Sequence, residues 1–233
     1  MNVLPPLSRR AAALALLGAL FTLPMPALAG GVTAHGEDLP QLPVSVSVAQ
    51  VAGKPVVDEG WIDAQLAQAE RLFGDAGIHF RKVEIRSLSD RFAHLGTRAD
   101  RDALAPTARR GAINVMIVDT LRDVDDPKLF RMGVHWRPIK SPKEHYVIVA
   151  ASAMPTTMAH EIGHFFGNGH TKIQNNLMSY DRVGDAISLT DGQKKTSVSF
   201  CRLYLRIKEI DPGLAPPAIA PPPVVGPAAL GGG

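Results

Sequence analysis

An α/β layer built on a mixed sheet is the fold class that this 233-residue chain predicts. Two observations lead there. Apolar runs with strand patterning recur at residues 44–51, 78–88, 113–121 and 146–151, with a weaker one at 132–137. Helical signals fall between the first two runs and return after the last. Strand, helix, strand, strand, strand, helix is the order of a sheet covered by helices.

Each element has its own warrant. Apolar and small residues alternate over 44–51. Asp58 can cap a helix whose apolar stripe is Ile62, Leu66, Ala69 and Phe73. The region of Gly74 and Gly77 ends that helix, and residues 78–88 return as a strand. Residues 89–111 are polar and Arg-rich, a loop with room for a short helix; Arg91, Arg98, Arg101, Arg109 and Arg110 are expected on a solvated face. Residues 113–121 are apolar enough for a buried central strand. Helix signals resume after Pro155. Thr190 and Gln193 have capping-box spacing, ahead of a helix carrying Phe200, Leu203, Tyr204 and Ile207 on one face, with Pro212 as its stop. No internal repeat is present.

Composition is globular, with 45% apolar and 20% charged residues, and the length suits one domain. Residues 1–29 have the parts of a secretory signal: Arg9 and Arg10, an apolar run from Ala11 to Leu23, and the cleavage pattern Ala27-Leu28-Ala29. Plain alanines after the arginine pair favour the Sec route over twin-Arg export, toward periplasm or medium. The apolar run is too short for a stable membrane span. Removing the segment takes the basic count from 25 to 23 against 22 acids, so the mature chain is almost neutral. That gives no ground for nucleic acid or anionic membrane as partner. The single cysteine, Cys201, excludes an intrachain disulfide and is expected as a small buried apolar group. Residues 30–43 form a polar leader or pro-segment, and the uncharged Pro, Ala and Gly of 213–233 a disordered tail.

The chemistry lies in His160-Glu161-Ile162-Gly163-His164-Phe165-Phe166-Gly167-Asn168-Gly169-His170. Residues four apart share a helix face, so His160 and His164 can offer two imidazoles to one Zn²⁺. A catalytic zinc uses three protein ligands and keeps an open place. The third must come from another direction, so the helix has to end; Gly167 sits where a residue of positive φ would end it and let the chain return with His170. Glu161, beside the first ligand, faces the place of the metal's water and can take its proton. A shuffled chain of this composition shows HExxH about once in a hundred, and the full constellation only about a few times in a hundred thousand, which rejects coincidence.

HExxHxxGxxH followed by a methionine resembles the signature of metzincin zinc peptidases. Met178, within Asn175-Asn176-Leu177-Met178-Ser179-Tyr180, stands eight residues past the third histidine. In metzincins a tight turn puts such a methionine beneath the metal. The short separation is similar to that of matrixins, and the Met-x-Tyr order to that of astacins, serralysins and pappalysins. The resemblance implies a role for Tyr180 at the zinc or the oxyanion. The runs 113–121, 133–134 and 146–149 are similar to the bacterial pappalysin-like arrangement. The implied domain spans 44–212: a mostly parallel twisted sheet, a backing helix, a zinc helix, a Met-turn and a C-terminal helix. The implied activity is that of a secreted monomeric endopeptidase with one catalytic Zn²⁺, acting on protein or peptide. Two alternatives remain at this level: a non-enzymatic zinc-containing binding module, and a hydrolase of a non-peptide amide.

The chain also departs from those relatives. No cysteine precedes position 201, so a cysteine pro-segment block is missing; His35, Glu37 and Asp38 could take its place, although a polar spacer is the simpler reading. Asp123, Asp125 and Asp126 could bind Ca²⁺, but their spacing fits no standard calcium loop, and a solvated acidic loop is expected. His79, His94, His135 and His145 have no ligand spacing and are expected to be structural or exposed.

Overall fold

Alternating valine and serine decide how the first strand sits. A computed structural model describes residues 39–140, 144–184 and 186–217. The expected signal segment, the residues His35, Glu37 and Asp38, and residues 218–233 lie outside these. Strand β1 is Leu42–Val48, beginning two residues before the expected start at Val44. Successive side chains point to opposite faces. Val44, Val46 and Val48 enter the main core beneath the first helix. Ser45 and Ser47 are buried on the other face, where Ser45 Oγ donates to Glu84 (2.5 Å) and Arg86 Nε donates to Ser47 Oγ (2.8 Å). Arg109 completes the cluster with an ion pair to Glu84 at 2.8 Å.

Helix α1 is Glu59–Gly74, capped by Asp58, whose carboxylate accepts the Trp61 N–H at 2.8 Å. Its buried line is Ile62, Gln65, Ala69, Leu72 and Phe73. Leu66, expected in that line, is only half-buried, and a glutamine takes a core position instead. Strands β2 (Phe80–Ser87), β3 (Ile113–Val118), β4 (Gly133–Trp136) and β5 (Tyr146–Ala150) complete a five-stranded sheet of order β2-β1-β3-β5-β4. All neighbours are parallel except β4, which runs antiparallel to β5 at the edge. Every residue of β3 is buried, as the apolar run requires of a central strand.

The arginine-rich stretch holds the short helix it had room for, one turn at Arg98–Asp102, capped reciprocally by Thr97 and Asp100. Two of its arginines differ from expectation. Arg101 is buried rather than solvated: it lies over the Trp136 ring (4.8 Å to the centroid) and donates to Arg122 O at 2.6 Å. Its flat face is covered by the indole and Nη2 has an acceptor, while Nε is buried without a partner. Arg109 likewise points inward to Glu84.

After β5 comes helix α2, Thr157–Phe165, and later α3, Asp191–Arg206, with the Thr190–Gln193 capping box in place. The buried line of α3 is Ser197, Cys201 and Tyr204. Phe200 and Leu203 pack at its margin, but Ile207 is exposed, so the expected face is rotated. The helix ends at Arg206, well before Pro212; Lys208 at φ 58 makes the turn, and the proline is not the stop. Beyond it, Arg81 donates to Leu214 O (3.0 Å) and Arg109 to Ala215 O (2.7 Å). Among the described residues no helix is long and apolar enough to cross a membrane.

Candidate metal centre

Helix α2 is only nine residues long and relies on its neighbours. Its first turn is held by Gln65 of α1, whose Oε1 accepts the Met158 N–H (3.1 Å) while Nε2 donates to Met154 O (2.9 Å). This explains the glutamine in the core line of α1: it satisfies a donor, the Met158 N–H, that Thr156 leaves uncapped. Met158, Ala159, Ile162 and Phe165 face the core. Gly163 is required by contact, since a Cβ there would lie 2.5 Å from Met178 Sδ. Gly167 is required twice: its φ is +79°, and a Cβ would stand 2.3 Å from the Phe200 ring.

The helix therefore stops after two histidines and the chain returns with a third. His160 Nε2 lies 3.2 Å from His170 Nε2, and His164 Nε2 lies 3.0 Å from the same atom. The three side chains form a group able to hold one metal ion. Two main-chain carbonyls set the tautomers: His164 Nδ1 donates to Asn168 O (2.7 Å) and His160 Nδ1 to Leu177 O (2.6 Å). A neutral ring that donates through Nδ1 presents a bare Nε2, the form a metal needs. Three nitrogens around one tetrahedral zinc stand about 3.3 Å apart, so the donor set fits. Burial lowers the pKa of all three histidines, that of His160 to about 4, and so favours neutral ligands.

Asn176 shapes the stretch after His170. Its Oδ1 accepts the Met178 N–H (2.9 Å), its carbonyl accepts the Ser179 N–H (3.0 Å), and Met178 O accepts the Thr171 N–H (3.0 Å). This tight turn presses the buried Met178 thioether against Gly163, behind the ligand helix. Tyr180 is exposed, with its ring centroid 4.6 Å from that of His170. Arg182 spans the region, donating to Ser179 O (2.6 Å) and Thr156 Oγ1 (2.9 Å), with Nη2 2.7 Å from His160 Nδ1. The Leu177 carbonyl can only accept, so it keeps the Nδ1 proton.

Glu161 is buried beneath β4, where a Cβ on Gly133 would meet its Cγ at 2.8 Å and its Oε1 at 2.9 Å. Burial raises its carboxyl to about 8, opposed by the His135 backbone N–H and the Arg182 charge. The three histidines, Glu161, Tyr180 and Arg182 line one open cleft of about 890 Å³, with Gly133–Trp136 along its upper rim. All the ligand and Glu161 positions singled out in the sequence thus come together, with Met178 behind them. The acidic loop does not join them. Asp123 is buried rather than solvated; its Oδ1 accepts the N–H groups of Asp125 (2.7 Å) and Asp126 (2.9 Å), and its other oxygen pairs with Arg131. Those donors hold its carboxyl down at about 2. A carboxylate so occupied makes a structural turn and offers no calcium cage. Gln65, Asn168 and Asn176 were missed as supports of the site, and only their burial reveals them.

No family model matches the chain, and no curated protein does. Solved structures do. Mature mirolysin from Tannerella forsythia, in complex with a cleaved peptide, aligns with a TM-score of 0.51 at 15% identity, over 74% of this chain and 99% of that one. A promirolysin mutant from the same organism gives 0.53 at 13%, over 74% and 84%. The fold is shared with mirolysin. Metalloproteinase-II from Bacteroides fragilis aligns with a TM-score of 0.48 at 15% identity over 69% of this chain, which spans about half (53%) of that protein. The chain therefore has the mirolysin fold and, within it, a histidine triad able to bind a metal ion.

Proposed function

We propose that the chain is an exported zinc endopeptidase, with Zn²⁺ held by His160, His164 and His170 and with Glu161 as general base. One observation carries this reading: three bare Nε2 atoms converge beside a buried carboxylate at the floor of an open cleft. Zinc at that place supplies Lewis acidity and a water acidic enough to react near neutral pH. Its charge also favours the ionised form of Glu161 over the neutral form that burial alone favours. The Glu161 carboxylate takes the proton of the attacking water and returns it to the leaving amine. The Tyr180 hydroxyl, at the mouth of the cleft, donates to the developing oxyanion. Met178 supports the ligand helix through Gly163, and Gly167 delivers His170. The Met-x-Tyr order is similar to that of astacins, serralysins and pappalysins, and the short separation from His170 to that of matrixins.

Substrate enters as an extended chain along β4, the antiparallel edge strand, adding to the sheet by main-chain hydrogen bonds. Three histidine donors without a fourth, among the described residues, favour an open catalytic site over a closed structural one. The test is a mixed-peptide library offered to the chelated and the zinc-restored protein. Cleavage lost on chelation and regained with Zn²⁺ is the expected result. Full cleavage in strong chelator would remove the metal from the reaction. Absence of any cut peptide in the zinc-loaded protein would leave the non-peptide amide or the binding module.

A further inference from the structure

The arginines that line the cleft differ in what answers their charge. Arg98 is paired with Asp125 at 2.6 Å, and Arg131 with Asp123. Arg101 is buried over the Trp136 ring and donates to the Arg122 carbonyl. Arg182, beyond Met178, lies half-buried against the first histidine of the triad. Among the described residues no carboxylate forms an ion pair with it; its partners are a carbonyl, a hydroxyl and an imidazole.

Two bonds fix the plane of that guanidinium: Nε donates to Ser179 O (2.6 Å) and Nη1 to Thr156 Oγ1 (2.9 Å). Nη2 is placed differently. It lies 2.7 Å from His160 Nδ1, but that nitrogen carries the proton it gives to Leu177 O at 2.6 Å. Two donors therefore face one another, and Nη2 finds no acceptor there. Bonds to a carbonyl and a hydroxyl need donors but no positive charge, so support alone does not account for an arginine. A cation fixed in plane, with an unspent donor at the wall of a cleft, is what a carboxylate fits.

We infer that Arg182 selects the substrate by binding the side-chain carboxylate of an aspartate or glutamate that flanks the bond to be cut. This rests on the peptidase reading. The place follows from the triad: Nη2 lies against the Nδ1 side of the same His160 ring whose Nε2 joins the metal group. Its charge is thus one imidazole away from that group, within reach of a side chain next to the scissile bond. Phe130 and Met132, exposed along the cleft, offer apolar surface instead. The demand for an acid therefore falls on one substrate position and not on the whole peptide.

The test uses matched octapeptides with Glu, Gln or Lys walked through their central positions. Cleavage by the zinc-loaded protein is read by mass spectrometry. Binding is read by calorimetry on zinc-loaded Glu161→Gln, which needs no turnover. With Glu beside the cut bond, kcat/KM should be about 10–100-fold higher than with Gln, and Lys should be worst. Arg182→Met should bring Glu and Gln to parity, Arg182→Lys should keep the order, and Arg182→Glu should favour Lys. In the binding arm Glu161→Gln should hold the Glu peptide more tightly than the Gln peptide. Adding Arg182→Met should remove that difference, which separates Arg182 from a carboxylate seated on the metal. Equal kcat/KM for Glu and Gln in the native protein would overturn the inference, and this ratio needs no variant to fold. So would a loss by one common factor for every peptide in Arg182→Met, the mark of a mere support. If the native protein cuts no peptide, the peptidase reading falls by itself, and equal binding of the Glu and Gln peptides would then overturn the role of Arg182 separately.

Discussion

The two banks of the cleft are built by different means. On the lower bank, residues 160–178 bring all three histidines of the group able to hold a metal from one short segment, and neighbouring carbonyls of the same segment, Asn168 and Leu177, orient the rings. On the upper bank, residues 123–137 are held by side chains from elsewhere: Asp102 accepts from Trp136 Nε1 (2.8 Å), Arg101 lies over the same ring, and His145, itself bonded to Glu209, meets the His135 ring. A bank made from one segment is specified by spacing. A bank made from distant partners is specified only once the chain has folded.

The largest expected stability effect lies on the lower bank. Gly167→Ala meets both a left-handed backbone and the Phe200 ring, and should cost about 3 kcal/mol in denaturant unfolding, with weakened zinc binding. A cost below about 0.5 kcal/mol would mean that the turn to His170 adapts, and that the lower bank is less exacting than its spacing implies.

Asp123→Ala tests the upper bank. It strands the N–H groups of Asp125 and Asp126 and releases Arg131, and should cost about 1–3 kcal/mol while leaving zinc affinity alone. The native carboxyl is held below its ordinary 3.8, at about 2, so this contribution is present above pH 4 or so and is lost as pH falls through about 2. Zinc loss in this variant would show that the banks are coupled and the contrast is false.

The difference between the banks also explains what could be read from the chain. His160, Glu161, His164, Gly167, His170 and Met178 lie at fixed intervals, and helix geometry turns interval into position. Asp58 and the Thr190–Gln193 pair were legible for the same reason, since caps are local. Gln65 was not, because nothing in α1 announces that its amide will meet Met154 and Met158. Arg101 looked like a solvated arginine because Trp136 and Arg122 reach it only in the fold. His135 and His145 had no ligand spacing, and their partner Glu209 is 64 residues from His145. The rotated face of α3 has a related cause: Phe200 is drawn to the open face of Gly167, and Ser197, bonded to Asn168 at 2.8 Å, takes a core place.

A smaller effect concerns acid. Burial pushes His135 from 6.5 down to about 2, with the charges of His145, Arg137 and His164 acting in the same direction. The unfolded chain binds this proton below pH 6.5 and the native chain does not, so stability falls as pH drops below that value and is complete above it. His135→Gln should lessen the pH slope of unfolding free energy between about pH 4 and 6 by up to about one proton. An unchanged slope would mean that His135 is solvated and that the upper bank is looser than described.

The central claim is that Glu161 moves a proton and is not a ligand, and the contrast of Glu161→Gln with His164→Ala tests it most directly. Both variants are assayed for zinc by metal analysis and for turnover on casein or a peptide library. Glu161→Gln should retain one zinc per chain and the native fold while losing about 10²–10⁴-fold in turnover. His164→Ala should lose zinc and turnover together. Native turnover in Glu161→Gln beside an inactive His164→Ala would contradict the account, because the carboxylate at the floor of the cleft would then have no part in the reaction.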